Sequence, residues 1–270
     1  MDRQSQYTHP PIEIYLSAEN AVHGDDYYSD CVFNLPRAVI APPGYSIYMQ
    51  VLSFTCPNSW HVVSSYYNTI VINGASFTLE PGNYSIYQLV AALRGLVPGV
   101  SISFNPITMK ATFSSSEAMT LDGPMLALLG IAQPSAGTLV TSKYTVDMSG
   151  INSIYILSDF QTASANIDCR PIDTGSILCR VPIAVPSSSI VQYEDYNGRA
   201  GLLLDDEVIS TIRLTLEDED RRPLQASLAW DLVLQCNFVY TGRQRLVIET
   251  PIALQASPPE RIKSSAKTDD

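Results

Sequence analysis

The chain has 270 residues, enough for one large domain or two modest ones, and is 46% hydrophobic but only 16% charged, against roughly 25% charged in ordinary soluble proteins. Its formal net charge of −11, with 16 dispersed Lys and Arg, argues against nucleic-acid binding by the folded body, because such binding is driven by basic groups that neutralise phosphates. Low charge combined with 15 Tyr is the composition of a surface covered by neighbours, since interface cores lose charge and gain Tyr.

In chain order, residues 1–11 are polar, contain Pro10-Pro11 and read as an extended N-terminal arm. They lack the apolar stretch of a signal peptide. Residues 12–17 alternate apolar and polar side chains, the mark of a half-buried strand. A loop over 21–28 precedes a second strand at 31–35, stopped by Pro36. The Pro42-Pro43-Gly44 turn opens a long third strand at 45–54, which ends at 56–60.

The character changes near residue 68. Segments 69–72 and 75–79 flank Asn73-Gly74, the strongest short hairpin signal. Ser85 is a good N-cap for a helix carrying Leu89, Val90 and Leu93 on one face, with Gly95 as its C′ stop. A second hairpin follows at 100–104 and 108–113 around Asn105-Pro106, then a short apolar helix at 123–130. Residues 68–135 thus read as an inserted ββαββα module with its own small core.

Strand candidates return at 138–148, 153–157, 176–181, 190–193, 208–216, 228–238 and 246–250. The last major pair, 210–217 and 227–236, joined by the charged turn 218–223, reads as a hairpin with an exposed acidic tip. Residues 257–270 form a polar tail of disordered composition. Three strands before the module and about six after it predict a mainly β protein. The expected fold is a single jelly-roll β-sandwich, discontinuous over 12–67 and 136–256.

No motif assigns chemistry. Cys31, Cys56, Cys169, Cys179 and Cys236 form no Cys-x-x-Cys pair, and several sit in apolar runs, so they read as reduced core thiols in a cytosolically made protein. His9, His23 and His61 offer few zinc ligands. The acidic clusters Asp25-Asp26, Glu194-Asp195, Asp205-Asp206-Glu207 and 217–220 lack calcium-loop spacing and read as solvated turns. Glycine-rich nucleotide motifs and a Gly-x-Ser-x-Gly elbow are missing. Trp230 reads as core. The sequence therefore nominates no catalytic, cofactor or metal residue, and no cofactor. No run approaches the about 18 apolar residues of a membrane span.

The ordered segments 29–36, 42–47, 57–60, 80–85 and 128–131, with 180–183, 190–193 and 212–230, resemble those of jelly-roll penton and minor capsid proteins of icosahedral large DNA viruses and their smaller relatives. The resemblance implies a non-enzymatic virion structural protein, a penton at the fivefold vertex or a minor capsid protein. It implies self-association, with pentamers at a vertex, and contact with the major capsid protein and other minor capsid proteins. Direct nucleic-acid contact is not expected. Two alternatives stay open. One is a carbohydrate-binding jelly roll using Tyr27-Tyr28 or Tyr66-Tyr67; the other is a β-sandwich hydrolase using acids such as Glu194 and Asp205.

Overall fold

In a computed structural model, the structure describes residues 9–160, 176–195 and 201–242. Most of the N-terminal arm, Cys169, the strand expected at 246–250 and the tail 257–270 lie outside the described residues. The elements are β1 (Ile12–Ser17), β2 (His23–Gly24), β3 (Asp30–Ile40), β4 (Tyr45–Pro57), β5 (Thr69–Ile72), β6 (Ala75–Thr78), α1 (Ile86–Leu96), β7 (Ser101–Asn105), β8 (Lys110–Asp122), α2 (Met125–Leu128), β9 (Ser135–Thr141), β10 (Ser153–Ser158), β11 (Ser176–Pro182), β12 (Ile190–Glu194), β13 (Gly201–Leu203), β14 (Val208–Glu217) and β15 (Asp231–Tyr240).

Two antiparallel sheets form the sandwich. One runs β1-β15-β4-β12, with β13 continuing the β12 edge along β4; the other runs β11-β10-β14-β3-β2. With the two-residue β2 set aside, and β12 with β13 taken as one line, eight strands remain in the order of two interleaved Greek keys. This is the jelly-roll arrangement.

Period-two alternation aims one side chain in two between the sheets. Ile14, Leu16, Ile47, Met49, Val51, Leu232 and Leu234 come from the first sheet, and Phe33, Ile154, Ile156, Ile212, Leu214 and Leu216 from the second, into one core. On β4 the inward phase shifts between Val51 and Phe54. Leu52 is an extra residue opposite the Val233/Leu234 step, a bulge that re-aims the strand. Trp230 fills the middle, with its ring 5.9 Å from Phe33 and 6.1 Å from Phe54, and its Nε1–H donates to the Tyr28 carbonyl at 2.7 Å.

Three expectations are corrected here. Segments 210–217 and 227–236 are not a hairpin: β14 pairs with β10 and β3, whereas β15 pairs with β1 and β4. The 13-residue connection crosses from one sheet to the other, burying Leu224, Ala226 and Trp230. Pro36 does not stop its strand. It lies where β3 has no register partner, between Asn34 and Val39, so its missing N–H breaks no ladder bond. Gly95 is not the helix stop; α1 runs on to Leu96, with Val97 as C-cap.

A third sheet, β6-β5-β8-β7 with β9 on β8, lies between β4 and β10 in the chain. The Asn73-Gly74 hairpin forms as expected, with Ile72 opposite Ala75 and positive φ at both turn residues. Ser85 caps α1 in a full capping box with Gln88. Leu89, Leu93, Ile102, Phe113, Leu121 and Met125 pack into a separate core that draws on residues from Val63 to Val146. The sheet continues into β9, and the 142–147 segment laces onto the end of α2 and the turn after it through Asp147 N–H to Leu128 O and Tyr144 N–H to Gly130 O. Residues 136–148, assigned to the sandwich from sequence, therefore pair and pack with the insert. Gly130 permits this: φ is +68°, and a Cβ there would stand 2.5 Å from the Tyr144 carbonyl oxygen.

Replacing Trp230 by Ala removes the sandwich's largest fully buried side chain and the partner of the Tyr28 carbonyl. We expect a loss of about 3–5 kcal/mol in urea unfolding followed by circular dichroism. A loss under about 1 kcal/mol would show that the core closes without it.

Candidate functional site

The acidic turn between β14 and β15 is the most heavily engaged charged segment described. Asp218 curls it: its Oδ1 accepts from the N–H groups of Asp220 at 2.8 Å and Arg222 at 2.9 Å, while its own N–H donates to the Arg222 carbonyl. Arg221 takes φ +63° at the tip, and Leu224 N–H returns to Leu216 O. The turn is not the solvated tip expected from its charge. Glu217 and Asp218 are only 8% and 6% exposed. Arg221 Nη1 meets Glu217 Oε2 at 3.1 Å with both side chains nearly covered.

The turn packs against both ends of the insertion. On the outgoing stretch, Tyr67 Oη donates to Asp220 Oδ2 at 2.5 Å, Tyr66 Oη to Pro223 O at 3.4 Å, and Gln225 Nε2 to Ser65 Oγ at 2.7 Å. On the returning stretch, the Asn152 N–H and Nδ2 reach Glu219 at 3.2–3.3 Å. The Arg222 guanidinium lies 4.4 Å above the Tyr67 ring and 5.4 Å from the Tyr66 ring, and 3.4 Å from Asp220. One turn of the sandwich thus ties down the two strands of chain that leave for the third sheet and come back. Burial, followed by the hydrogen bond to Asp220, pushes the Tyr67 phenol up to about 12. Burial raises Asp218 above the usual carboxylate range, against the two N–H donors that favour its charge.

A cleft of about 200 Å³ opens in this seam, lined in part by Trp60, His61, Tyr66, Tyr67, Leu128, Asp147 and Asp218. It also brings Ser64 near His61. Ser64 Oγ accepts from Tyr66 N–H and Asp147 Oδ1 from Ser149, and no hydrogen bond links His61 to either among the described residues. The set lacks the oriented nucleophile–base–acid chain of a hydrolytic triad.

The other nominated residues are scattered. Asp25 closes a local turn, accepting from Ser29 N–H at 2.6 Å and from the Ser29 hydroxyl. Asp30, outside the nominated clusters, is held below the usual carboxylate range by its hydrogen bond with Arg213. Glu194 stands opposite Ser53 on β4, whereas Asp205 follows Leu204, which bonds to Ile47. Six residues of strand separate those levels, about 20 Å, too far for the paired carboxylates of a glycosidase. Of the aromatic pairs, Tyr66-Tyr67 is committed to the seam, Tyr28 packs against the sandwich core, and Tyr27 is exposed. His9 packs edge-on to Tyr45 at 4.9 Å. Cys31, Cys56, Cys179 and Cys236 are buried free thiols, pushed up to about 12 chiefly by burial. Among the described residues no group of three or more His, Cys, Asp or Glu could hold a metal ion, and no helix is long and apolar enough to cross a membrane.

No family model matches the chain, and no curated protein matches it. Among solved structures, the crystal structure of the selenomethionine-labelled mavirus penton protein aligns with a TM-score of 0.47 at 10% identity, over 85% of this chain and 100% of that one.

Tyr66-Tyr67 and the acidic turn each stand out in the sequence, but their contact does not, because the two stretches lie some 150 positions apart. The only local signal was two Arg next to four acids.

Two tests follow from this geometry. Arg222→Ala removes both ring contacts and the Asp220 pair, and should cost about 1–2 kcal/mol and raise protease cleavage within 58–67, read by mass spectrometry. Asp218 has a folded pKa raised above its unfolded value, so the stability it contributes is present below the ordinary carboxylate range and is lost as pH rises through the folded value. Asp218→Asn keeps an acceptor for the two N–H groups and removes the buried charge. It should be the more stable protein at neutral pH, with the difference vanishing in acid, as measured by urea unfolding at both pH values.

Proposed function

We propose that the chain is a non-enzymatic structural protein of a virion shell, a penton or a minor capsid protein set beside the major capsid protein. The observation that carries this reading is the jelly-roll strand order, built from a sequence whose ordered segments resemble those of penton and minor capsid proteins along most of its length. In this reading residues 63–148 form an inserted module, clasped to the sandwich by the 218–225 turn so that both move as one block in a shell. The low charge and abundant Tyr fit surfaces that are covered on assembly. Exposed Tyr15, Ile40, Ile107, Leu139 and Tyr240 supply apolar contact area beyond the two cores.

The reading is tested on purified virions and on the isolated protein. Quantitative mass spectrometry of particles should find the chain at a fixed ratio to the major capsid protein, and native mass spectrometry should find a closed oligomer, a pentamer for a vertex position. A protein missing from particles and strictly monomeric at high concentration would sink the proposal.

A further inference from the structure

One turn of the insert departs from the usual chemistry of turns. The residues between β7 and β8 are Pro106-Ile107-Thr108-Met109, where Gly, Asn, Asp and Ser are the favoured types. Asn105 Oδ1 accepts from the Ile107 and Thr108 N–H groups at 2.9 and 3.2 Å, which holds the turn in one form. Ile107 is nevertheless 91% exposed, the highest value for a large hydrophobic residue among those described. Met109 is exposed too and sits at φ +53°, a left-handed conformation unfavourable for a side chain of its size. The turn gives up stability to hold two apolar side chains in water.

Its neighbours extend the patch and charge it. Ser142 N–H donates to Ala111 O and Val146 N–H to Met109 O, so the stretch between them runs beside the turn and brings up the exposed Tyr144. Phe104, just before the turn, stands edge-on to the exposed Tyr87 at 5.7 Å. Lys110 closes the turn opposite Asn105, and Lys143 Nζ lies 5.2 Å from the centre of the Tyr144 ring. These two are the only lysines among the described residues, and none of the ion pairs there uses either. Asp147, the next acid along the stretch, lines the seam cleft and accepts from Ser149. A chain of net charge −11 thus gathers its described lysines around one apolar turn.

We propose that this turn is a peripheral contact to an anionic lipid surface. Ile107 and Met109 enter the boundary between headgroups and acyl chains, Tyr144 lies at headgroup level, and Lys110 and Lys143 meet the anionic headgroups. Size decides between a lipid surface and a protein partner. A stable protein interface buries about 800 Å² on each side, drawn from roughly 20–30 residues, and one turn with its flanks presents far less. Protein interfaces are also depleted in Lys, whereas apolar side chains beside Lys and Tyr have the composition of an interfacial anchor. Charge decides the kind of lipid. The chain as a whole is acidic, so an anionic surface meets it favourably only through the lysines, each worth about fivefold in affinity near such a surface. The inference goes beyond the shell reading and does not depend on it.

The test is flotation of the full-length protein with vesicles at millimolar lipid, made of phosphatidylcholine alone or mixed with phosphatidylserine. The protein should float with the phosphatidylserine vesicles and be released by high salt. Ile107→Ser/Met109→Asn, with Asn suited to the left-handed position, should lower the bound-to-free ratio at least ~tenfold. Lys110→Gln/Lys143→Gln should lower it by about tenfold or more on phosphatidylserine vesicles alone. Both variants should keep the urea midpoint of the unmodified protein, which separates lost contact from lost fold. Failure of the unmodified protein to float, equal flotation with the two vesicle types, or flotation unchanged in the Ile107→Ser/Met109→Asn variant overturns the proposal. So does a variant that keeps its lipid binding but loses the oligomers seen by native mass spectrometry, which would place the turn in a protein interface.

Discussion

The sandwich depends on closing two sheets over one apolar interior, and Trp230 is the largest side chain fully buried there. It sits at the end of the crossing from β14 to β15 and contacts Phe33 of one sheet and Phe54 of the other. Its indole N–H satisfies a backbone carbonyl of the loop before β3. An aromatic of this size can lie that deep because its one polar atom has a partner. The crossing it terminates is the same segment that curls into the acidic turn. The interior of the sandwich and the attachment of the insert are thus two ends of one 13-residue connection.

That connection also shows what could be read from sequence. Alternation over 208–216 and 228–238 revealed half-buried strands correctly, because burial on one face leaves a period-two trace in the strand itself. It carried no information about partners. Two adjacent alternating runs look the same whether they pair with each other or with strands in opposite sheets, and short-range pairing is the natural but wrong choice here. The Asn73-Gly74 hairpin was legible for the opposite reason: a two-residue turn with positive φ at both positions admits one geometry. Pro36 was misread because its tolerance depends on a gap in pairing with β14, a feature set 170 residues downstream. The hand-over from insert to sandwich was placed too early because β9 alternates like any strand, and nothing local says that its neighbour is β8.

The acidic turn was misread through composition. Four acids and two Arg in six residues look like a solvated loop, and most such clusters are. Here the charge is handled internally. Asp218 takes two backbone N–H donors, Glu217 takes Arg221, and Asp220 takes Tyr67 and Arg222. A buried ion pair brings little net stability relative to an apolar replacement, but losing one partner is costly. Such a set therefore acts more on geometry than on stability: it admits one docking of the turn on the Tyr66-Tyr67 stretch and penalises others. For a module reached by two strands of chain, a single fixed seat is worth more than added adhesion.

The remaining question is how a chain with so few charges keeps its exposed edges from pairing indiscriminately. Natural sheets blunt their edges with Lys, Pro, bulges or covering segments. The far edge of the first sheet is broken into β12 and β13, two short pieces that offer a weak template. In the second sheet, β2 shields two residues of β3. β1 keeps an unbroken register with β15 and borders a groove lined in part by Ile12, Ile14, Leu35 and Val39. A regular edge of this kind invites pairing with another strand unless something covers it.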